Sequence, residues 1–161
     1  MKSDWFVAWV TTGQELELLR KIRRIEGIAK AICPSLPLWR RRRGEWTLKD
    51  QIVFPGYIFL QCRMSSTVYY AIRELPGVLG WLGRDSMWPT TVREEEMDVV
   101  LALDRGDDPA TVLTDVRTEQ RSRRAYGSMT LQGKQYRIPY NIYHDDKQAE
   151  EPPGDASPAG S

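Results

Sequence analysis

The sequence is poor in the residues that most enzyme active sites need. It has one histidine in 161 residues, His144, and two cysteines, Cys33 and Cys62, that form no Cys-x-x-Cys pair. A lone histidine beside Asp145 and Asp146 argues against a histidine triad or a zinc site, and isolated thiols predict neither a disulfide framework nor metal-ligand spacing. Phosphate-binding glycine motifs are also missing from the sequence. We therefore expect no enzyme activity, no metal, no cofactor and two buried free thiols.

Long hydrophobic runs are missing too. No segment approaches the roughly 20 apolar residues that cross a bilayer, and the first four residues lack the basic-then-apolar layout of a secretory signal. We expect a chain without membrane spans that stays in the cytoplasm. With 41% hydrophobic and 28% charged residues, its composition is that of a soluble globular domain.

The net charge of +1 conceals two regions of opposite sign. Residues 1–143 hold 22 of the 23 basic and 17 of the 22 acidic residues, a balance of +5, whereas residues 144–161 hold one lysine and five acids, a balance of −4. The second region is also rich in proline, glycine and small residues. Such a segment buries too little apolar surface to offset its chain entropy, so we expect a disordered acidic tail over 144–161.

A strand followed by a helix opens the chain. The aromatic and β-branched run over residues 5–10 predicts a buried strand. Thr12 and Glu15 have the spacing of a capping box, in which both side chains satisfy backbone N–H groups at a helix start. The apolar residues that recur at helical spacing and predict the packing face are Leu16, Leu18, Leu19, Ile22 and Ile25.

Four consecutive arginines, Arg40, Arg41, Arg42 and Arg43, join two strand-like segments over residues 36–39 and 46–48. Gly44 can supply the turn, so the pattern predicts a hairpin with the arginines at its tip. Trp39 and Trp46 flank the run. Arginines beside an aromatic platform hold single strands and RNA loops, so we expect nucleic-acid binding here; a solvated charge run is the alternative.

The rest of the body alternates strands and helices. Residues 57–62 read as a central strand, Ser65 or Ser66 caps a second helix, and residues 78–82 form another strand. A second capping box, Thr91 to Glu94, starts a third helix. This order favours an α+β fold, a mainly antiparallel sheet flanked by helices.

Several segments taken together resemble a known family. They are Trp5-Phe6-Val7, Thr12-Gly13-Gln14-Glu15, Phe54-Pro55-Gly56-Tyr57-Ile58-Phe59 and Pro76-Gly77-Val78-Leu79-Gly80-Trp81-Leu82-Gly83, followed by Pro89 and an acidic helix start. In this order, over about residues 5–104, they look like the N-terminal domain of the NusG family of transcription elongation factors. The Phe-Pro-Gly-Tyr segment is the most specific of them.

The resemblance implies a factor that binds bacterial RNA polymerase across its DNA cleft, is monomeric when free and associates with the nucleoid through the polymerase. It implies an apolar depression that docks the clamp helices of the largest subunit, and a helix edge that faces the gate loop of the other large subunit. The clamp-binding residues carried over by motif are Trp5, Phe54, Pro55, Gly56, Tyr57, Leu79 and Trp81. The gate-loop-facing residues are Ser65, Ser66 and Thr67. For each aromatic, the alternative is a plain core position.

The C-terminal third departs from that family. A second domain with the motif called KOW is usual there, yet that motif is not recognisable after Gly106. Two strand-like segments about Gln132-Gly133 predict a hairpin instead. We therefore divide the chain into a NusG-like domain (1–105), a basic linker with a β-hairpin extension (106–143) and the tail (144–161).

Without a KOW domain, a specialised antitermination paralogue fits better than a general factor, with the non-template DNA strand or the nascent RNA as its second partner. The nucleic-acid-binding candidates outside the arginine run and its tryptophans are Arg121, Arg123, Arg124, Lys134 and Arg137. The alternative is a free-standing RNA-binding module of RRM-like topology, with Tyr57 and Phe59 stacking on bases.

Overall fold

The computed structural model describes residues 3–83, 88–119 and 124–142. Within them the chain forms nine strands and four helices. In chain order these are β1 (Asp4–Val10), α1 (Glu15–Arg23), β2 (Ile28–Ile32), β3 (Ser35–Arg42), β4 (Glu45–Ile52), β5 (Tyr57–Cys62), α2 (Ser66–Arg73), β6 (Val78–Trp81), α3 (Glu94–Asp104), α4 (Pro109–Val112), β7 (Thr114–Glu119), β8 (Arg124–Leu131) and β9 (Lys134–Asn141). The predicted α+β class with antiparallel sheets is confirmed.

A four-stranded antiparallel sheet in the order β2-β5-β1-β6 forms the N-terminal half. The apolar run predicted as a central strand is indeed internal, since β5 lies between β2 and β1. Helices α1 and α2 pack on one face of this sheet. Their apolar side chains Leu18, Ile22 and Ile72 are buried together with Ile58 and Leu60 of β5. None of the described helices is both long and apolar enough to cross a membrane.

The opposite face of the sheet is covered by α3 and by a second sheet, β7-β8-β9. One core cluster joins Phe59 of the first sheet to Val100 of α3 and to Met129, Leu131 and Ile138 of the second sheet. The segment predicted as a hairpin extension therefore shares a core with the N-terminal domain. Its turn, Gln132 and Gly133, lies where predicted, and both residues have the positive φ of a tight hairpin turn.

The arginine run lies differently from the prediction. Strands β3 and β4 pair over eight residues each, and the turn between them is Arg43 and Gly44, with φ of 53° and 81°. Arg40, Arg41 and Arg42 therefore belong to β3, and only Arg43 lies at the tip. The reason is that a two-residue turn closes the hairpin, so pairing extends through the charged segment up to Glu45.

The helix starts also differ in part. Ser65 caps α2 as predicted, its hydroxyl accepting from the backbone N–H of Val68 at 3.2 Å. Neither predicted capping box forms: the N-cap residues of α1 and α3 are Gln14 and Arg93, and neither makes a side-chain cap bond. Leu16 was predicted to pack but is exposed, because the buried side of α1 is formed by Leu18, Leu19 and Ile22.

Candidate functional site

The turn that links β4 to β5 carries the most specific motif of the sequence. Gly56 has φ of 86°, a left-handed conformation that glycine adopts without strain. Its carbonyl accepts from the N–H of Val10 at 2.7 Å, and its N–H donates to Glu15 Oε2 at 2.8 Å. The other carboxylate oxygen of Glu15 accepts from the N–H of Gly13 at 2.7 Å. Glu15, only 3% exposed, therefore holds the motif against the start of α1.

An aromatic cluster continues from this turn towards the second sheet. Phe54 packs edge-on against Phe59 and Tyr136, with ring centroids 5.4 and 5.5 Å away, and its ring is nearly parallel to that of Tyr57 at 6.4 Å. The hydroxyls of Tyr57 and Tyr136 are hydrogen-bonded at 2.9 Å. Burial, together with this bond, raises the pKa of Tyr136 above its ordinary value. The second sheet is thus in direct contact with the predicted clamp-binding face.

The predicted clamp-binding residues do not form one surface. Phe54 and Trp81 are each 2% exposed and Gly56 is buried, so the core alternative holds for these two aromatics. They also lie in different cores, because Trp81 packs on the side of α1 and α2 whereas Phe54 packs beneath the second sheet. The accessible members of the set are Trp5 and Tyr57, both half-buried, and Pro55 and Leu79, both exposed.

Sequence reasoning missed an exposed tryptophan in the same region. Trp9, on β1 opposite Tyr57 of β5, is 45% exposed although it lies inside the run predicted as buried. Trp9 and its cross-strand neighbour Tyr57 are therefore both accessible at this place on the sheet. The signal available in the sequence was the alternation along β1, in which Phe6, Ala8 and Val10 face α1 and α2.

The start of α2 offers two free polar side chains. Ser65 is engaged as the cap, whereas Ser66 and Thr67 are exposed on the first turn. Of the three predicted gate-loop-facing residues, Ser65 therefore has a structural role in the helix, and Ser66 and Thr67 present hydroxyls to the surroundings.

Strand alternation divides the side chains of the arginine hairpin between two faces. Arg41 pairs across the hairpin with Trp46, and its guanidinium lies 5.9 Å from the centre of that ring, a cation–π distance. Arg40 hydrogen-bonds Gln51 and, with Arg42, lies on the opposite face. Trp39 is half-buried, with its indole nitrogen buried.

The predicted basic residues of the C-terminal segment are mostly occupied within the protein. Arg124 donates to the carbonyl of Trp39 at 2.8 Å, which ties β8 to the hairpin. Arg137 lies 4.6 Å from the ring centre of Tyr126, and Lys134 lies 5.6 Å from that of Tyr136. Arg121 and Arg123, like the tail over 144–161, lie outside the described residues.

Both thiols are free. Cys62 is buried and Cys33 is half-buried, with its thiol 3.5 Å from the carbonyl oxygen of Tyr57. Burial raises the pKa of Cys33 to about 12 and that of Cys62 to about 11. Both therefore stay protonated near neutral pH, which makes them poor nucleophiles. In the described part of the chain, no cluster of His, Cys, Asp and Glu side chains could hold a metal ion.

The RRM-like alternative fails at its stacking residues. The order β2-β5-β1-β6 with two helices on one face is the expected topology, but Phe59 is fully buried beneath the second sheet and α3. A base cannot reach its ring. Tyr57 alone remains partly accessible on that face.

Comparison with known proteins gives a family that agrees with this geometry. A family model described as "Transcription termination factor nusG" matches residues 3–101, which include both sides of the Glu15–Gly56 contact. The chain belongs to the NusG family. The segment beyond residue 101, which includes β7, β8 and β9, lies outside that match.

Two curated NusG relatives carry the name transcription termination/antitermination protein. The one from Pseudomonas aeruginosa is 25% identical over 118 residues, which cover 68% of this chain and 67% of the relative. The one from Buchnera aphidicola is 26% identical over 107 residues, 62% of this chain and 59% of the relative. This NusG-family chain therefore aligns with about three-fifths to two-thirds of their length.

A solved structure supports the fold. The structure titled "Domain interaction in Thermotoga maritima NusG" superposes with a TM-score of 0.60 and 17% identity, covering 88% of this chain and 95% of that one. The superposed share of this chain is larger than the share matched by the family model, so the structural likeness extends past the NusG domain.

Proposed function

We propose that this NusG-family chain is a bacterial transcription elongation and antitermination factor that binds RNA polymerase and suppresses pausing or termination. The observation that carries the proposal is the family match over residues 3–101, within which Pro55 and Tyr57 of the most specific motif stay accessible. Membership in a family of transcription termination and antitermination proteins supports this role over an enzymatic one. Acting with the polymerase, the chain would be cytoplasmic, nucleoid-associated and monomeric when free.

The polymerase-binding surface we propose is narrower than the motif suggested. It consists of Trp5, Trp9, Pro55, Tyr57 and Leu79, with the clamp helices of the largest subunit as its partner. Phe54 and Gly56 support this surface from beneath rather than contacting the partner, and Trp81 is buried on the other face of the sheet against α1 and α2. Ser66 and Thr67 at the start of α2 would face the gate loop of the other large subunit.

The second partner we propose is nucleic acid, either the non-template DNA strand or the nascent RNA. The hairpin supports this, because Arg41, Arg42 and Arg43 are exposed and Trp46 is half-buried beneath Arg41. Arginine side chains next to an aromatic ring suit an unpaired strand. Lys134 and Arg137 would contribute long-range attraction, since both are exposed although they contact aromatic rings.

Tyr57→Ala tests the polymerase surface. Interface anchors are typically aromatic and cost about 2 kcal/mol or more when truncated, so we expect affinity for the isolated clamp helices to fall by roughly 30-fold. The matched control is Tyr57→Phe, which keeps the ring and loses only the hydroxyl bond to Tyr136. It should bind nearly as well as the native chain. Full affinity of Tyr57→Ala, with a native circular dichroism spectrum, would reject this surface.

A further inference from the structure

A groove runs between the arginine hairpin and the start of α1. Its volume is about 550 Å³, and its lining includes Arg40, Arg41, Arg42 and Lys49 of the hairpin and Thr12 and Gly13 of the turn before α1. Sites that take small ligands commonly measure roughly 300–1,000 Å³, so one or two nucleotide units fit this volume. Lys49 and Thr12 lie outside the arginine run and the two tryptophans that flank it.

The charges in this groove are unbalanced. The side chains of Arg40, Arg42 and Lys49 lie on the groove face, whereas that of Arg41 lies over Trp46 on the other face. The carboxylates that line the groove are those of Glu15 and Asp50, and both oxygens of Glu15 already accept backbone N–H groups. The ion pairs between described residues are Arg105 with Asp107 and Arg117 with Asp115, so no carboxylate in the described part of the chain pairs with the groove's cations. Like charges gathered on one hairpin repel, and an external polyanion would relieve that repulsion.

The register of the hairpin spaces these cations along a line. Arg40 and Arg42 lie on the same face of β3, two residues or about 7 Å apart, and Lys49 of β4 pairs with Leu38 on that face. Such a row can follow successive phosphates of an extended strand. Gly13 cannot take part through its N–H, which already donates to Glu15, but the exposed Thr12 has its hydroxyl available.

We propose that this groove binds the sugar-phosphate backbone of a single-stranded nucleic acid, with Arg40, Arg42 and Lys49 as phosphate contacts. The inference rests on the proposed function and identifies which part of the hairpin meets the strand. A single strand is favoured over a duplex because the site is recessed between two elements, whereas a duplex presents its phosphates on a broad convex surface. The Trp46 ring beside Arg41, on the other face, offers a platform for an adjacent base.

The test uses the full chain and the substitution Lys49→Gln. Fluorescence anisotropy is measured with oligothymidylate and oligouridylate of about 12 nucleotides and with a duplex of equal length, between about 50 and 200 mM salt. We expect Lys49→Gln to bind both single strands several-fold more weakly and to lower the salt slope by about 0.7. The control is Lys30→Gln, an exposed lysine on β2 that does not line the groove and should leave both values unchanged.

The possible outcomes distinguish failure of the groove assignment from failure of the proposed function. If Lys49→Gln binds as the native chain does while loss of the arginines abolishes binding, the hairpin contacts nucleic acid but the groove assignment is wrong. Tighter binding of the duplex than of either single strand would also overturn it. If the native chain binds none of the three probes, the nucleic-acid part of the proposed function fails as well. The difference in affinity between oligothymidylate and oligouridylate shows whether the groove prefers a DNA or an RNA strand.

Discussion

Removing the arginine run should lower the slope of log affinity against log salt concentration by up to about 3 for single-stranded nucleic acid. Each lost phosphate contact removes about 0.7 to 0.9 from that slope because fewer counterions are released. The variant carries Arg40→Ala, Arg41→Ala and Arg42→Ala together with Arg43→Asn. Asparagine is chosen at the tip because Arg43 has φ of 53°, and asparagine tolerates the left-handed conformation better than alanine does.

The fold should survive this change. The side chains of Arg41, Arg42 and Arg43 make no hydrogen bond or ion pair with another described residue, and the contact of Arg41 with the Trp46 ring is exposed. Surface substitutions of this kind usually cost within about 0.5 kcal/mol. Arg40 loses its bond to Gln51, which is an exposed contact. Clamp-helix binding should stay unchanged, since Tyr57 and Trp9 are untouched. An unchanged salt slope combined with full antitermination would mean that the run is only a solvated charged segment.

Glu15→Ala should lower the free energy of unfolding by about 3 kcal/mol. The substitution leaves the N–H groups of the exposed Gly13 and the buried Gly56 without their acceptor, and an unsatisfied buried donor such as that of Gly56 costs about 1–3 kcal/mol. Hydrogen bonds to a charged acceptor are also stronger than neutral ones. Urea denaturation measures the change. Because Gly56 lies between Pro55 and Tyr57 of the proposed polymerase surface and supports it from beneath, clamp-helix binding should weaken too, even at temperatures where the variant remains folded.

Two variants control this experiment. Glu17→Ala removes an exposed carboxylate from the same helical turn and should change stability by no more than about 0.5 kcal/mol. Glu15→Gln keeps one acceptor oxygen, so its free energy of unfolding should lie between those of Glu15→Ala and Glu17→Ala. Equal midpoints for Glu15→Ala and Glu17→Ala would show that the buried carboxylate does not hold the motif.

The elements predicted correctly are those whose signal is local. Residues 5–10 are a continuous apolar run and form most of β1, residues 57–62 are apolar except for Gln61 and form β5, and the glycine turn at Gln132 and Gly133 closes the second hairpin. Strands β2 and β7 were not predicted, because their sequences carry no clear local signal. Exposed side chains interrupt β2, and all six residues of β7 are exposed, so neither strand carries a clear alternation.

The two predicted capping boxes show that local spacing alone does not determine the partners of these side chains. Thr12 with Glu15 and Thr91 with Glu94 have the right spacing, yet acidic side chains in these helix starts bond distant backbone instead. Glu15 reaches Gly56, and Glu96, which follows the second box, accepts from the N–H of Gln132 at 2.9 Å. Each joins a helix start to a turn some 40 residues away, so tertiary packing decides a bond that spacing alone assigned to a cap.

The sequence predicted which segments contribute to the site, but it did not predict which of their residues are exposed. The family motif located Phe54, Tyr57 and Trp81, but their exposure depends on distant elements. The second sheet and α3 cover the face with Phe54 and Tyr57, and α1 and α2 cover the face with Trp81. The alternation along residues 5–10 assigns Trp9 to the face opposite α1 and α2, but it does not show that the cover on that face leaves Trp9 in contact with solvent. A motif names the residues that lie near an interface, and the packing of distant elements determines which of them a partner can touch.

The most direct test of the proposed function is whether the purified chain binds bacterial core RNA polymerase. Binding is measured by size-exclusion chromatography of the mixture at low micromolar concentrations. The native chain and Tyr57→Phe should elute with the polymerase in equimolar amounts, and Tyr57→Ala should elute separately. A native chain that elutes apart from the polymerase at every concentration tested would contradict the proposed function.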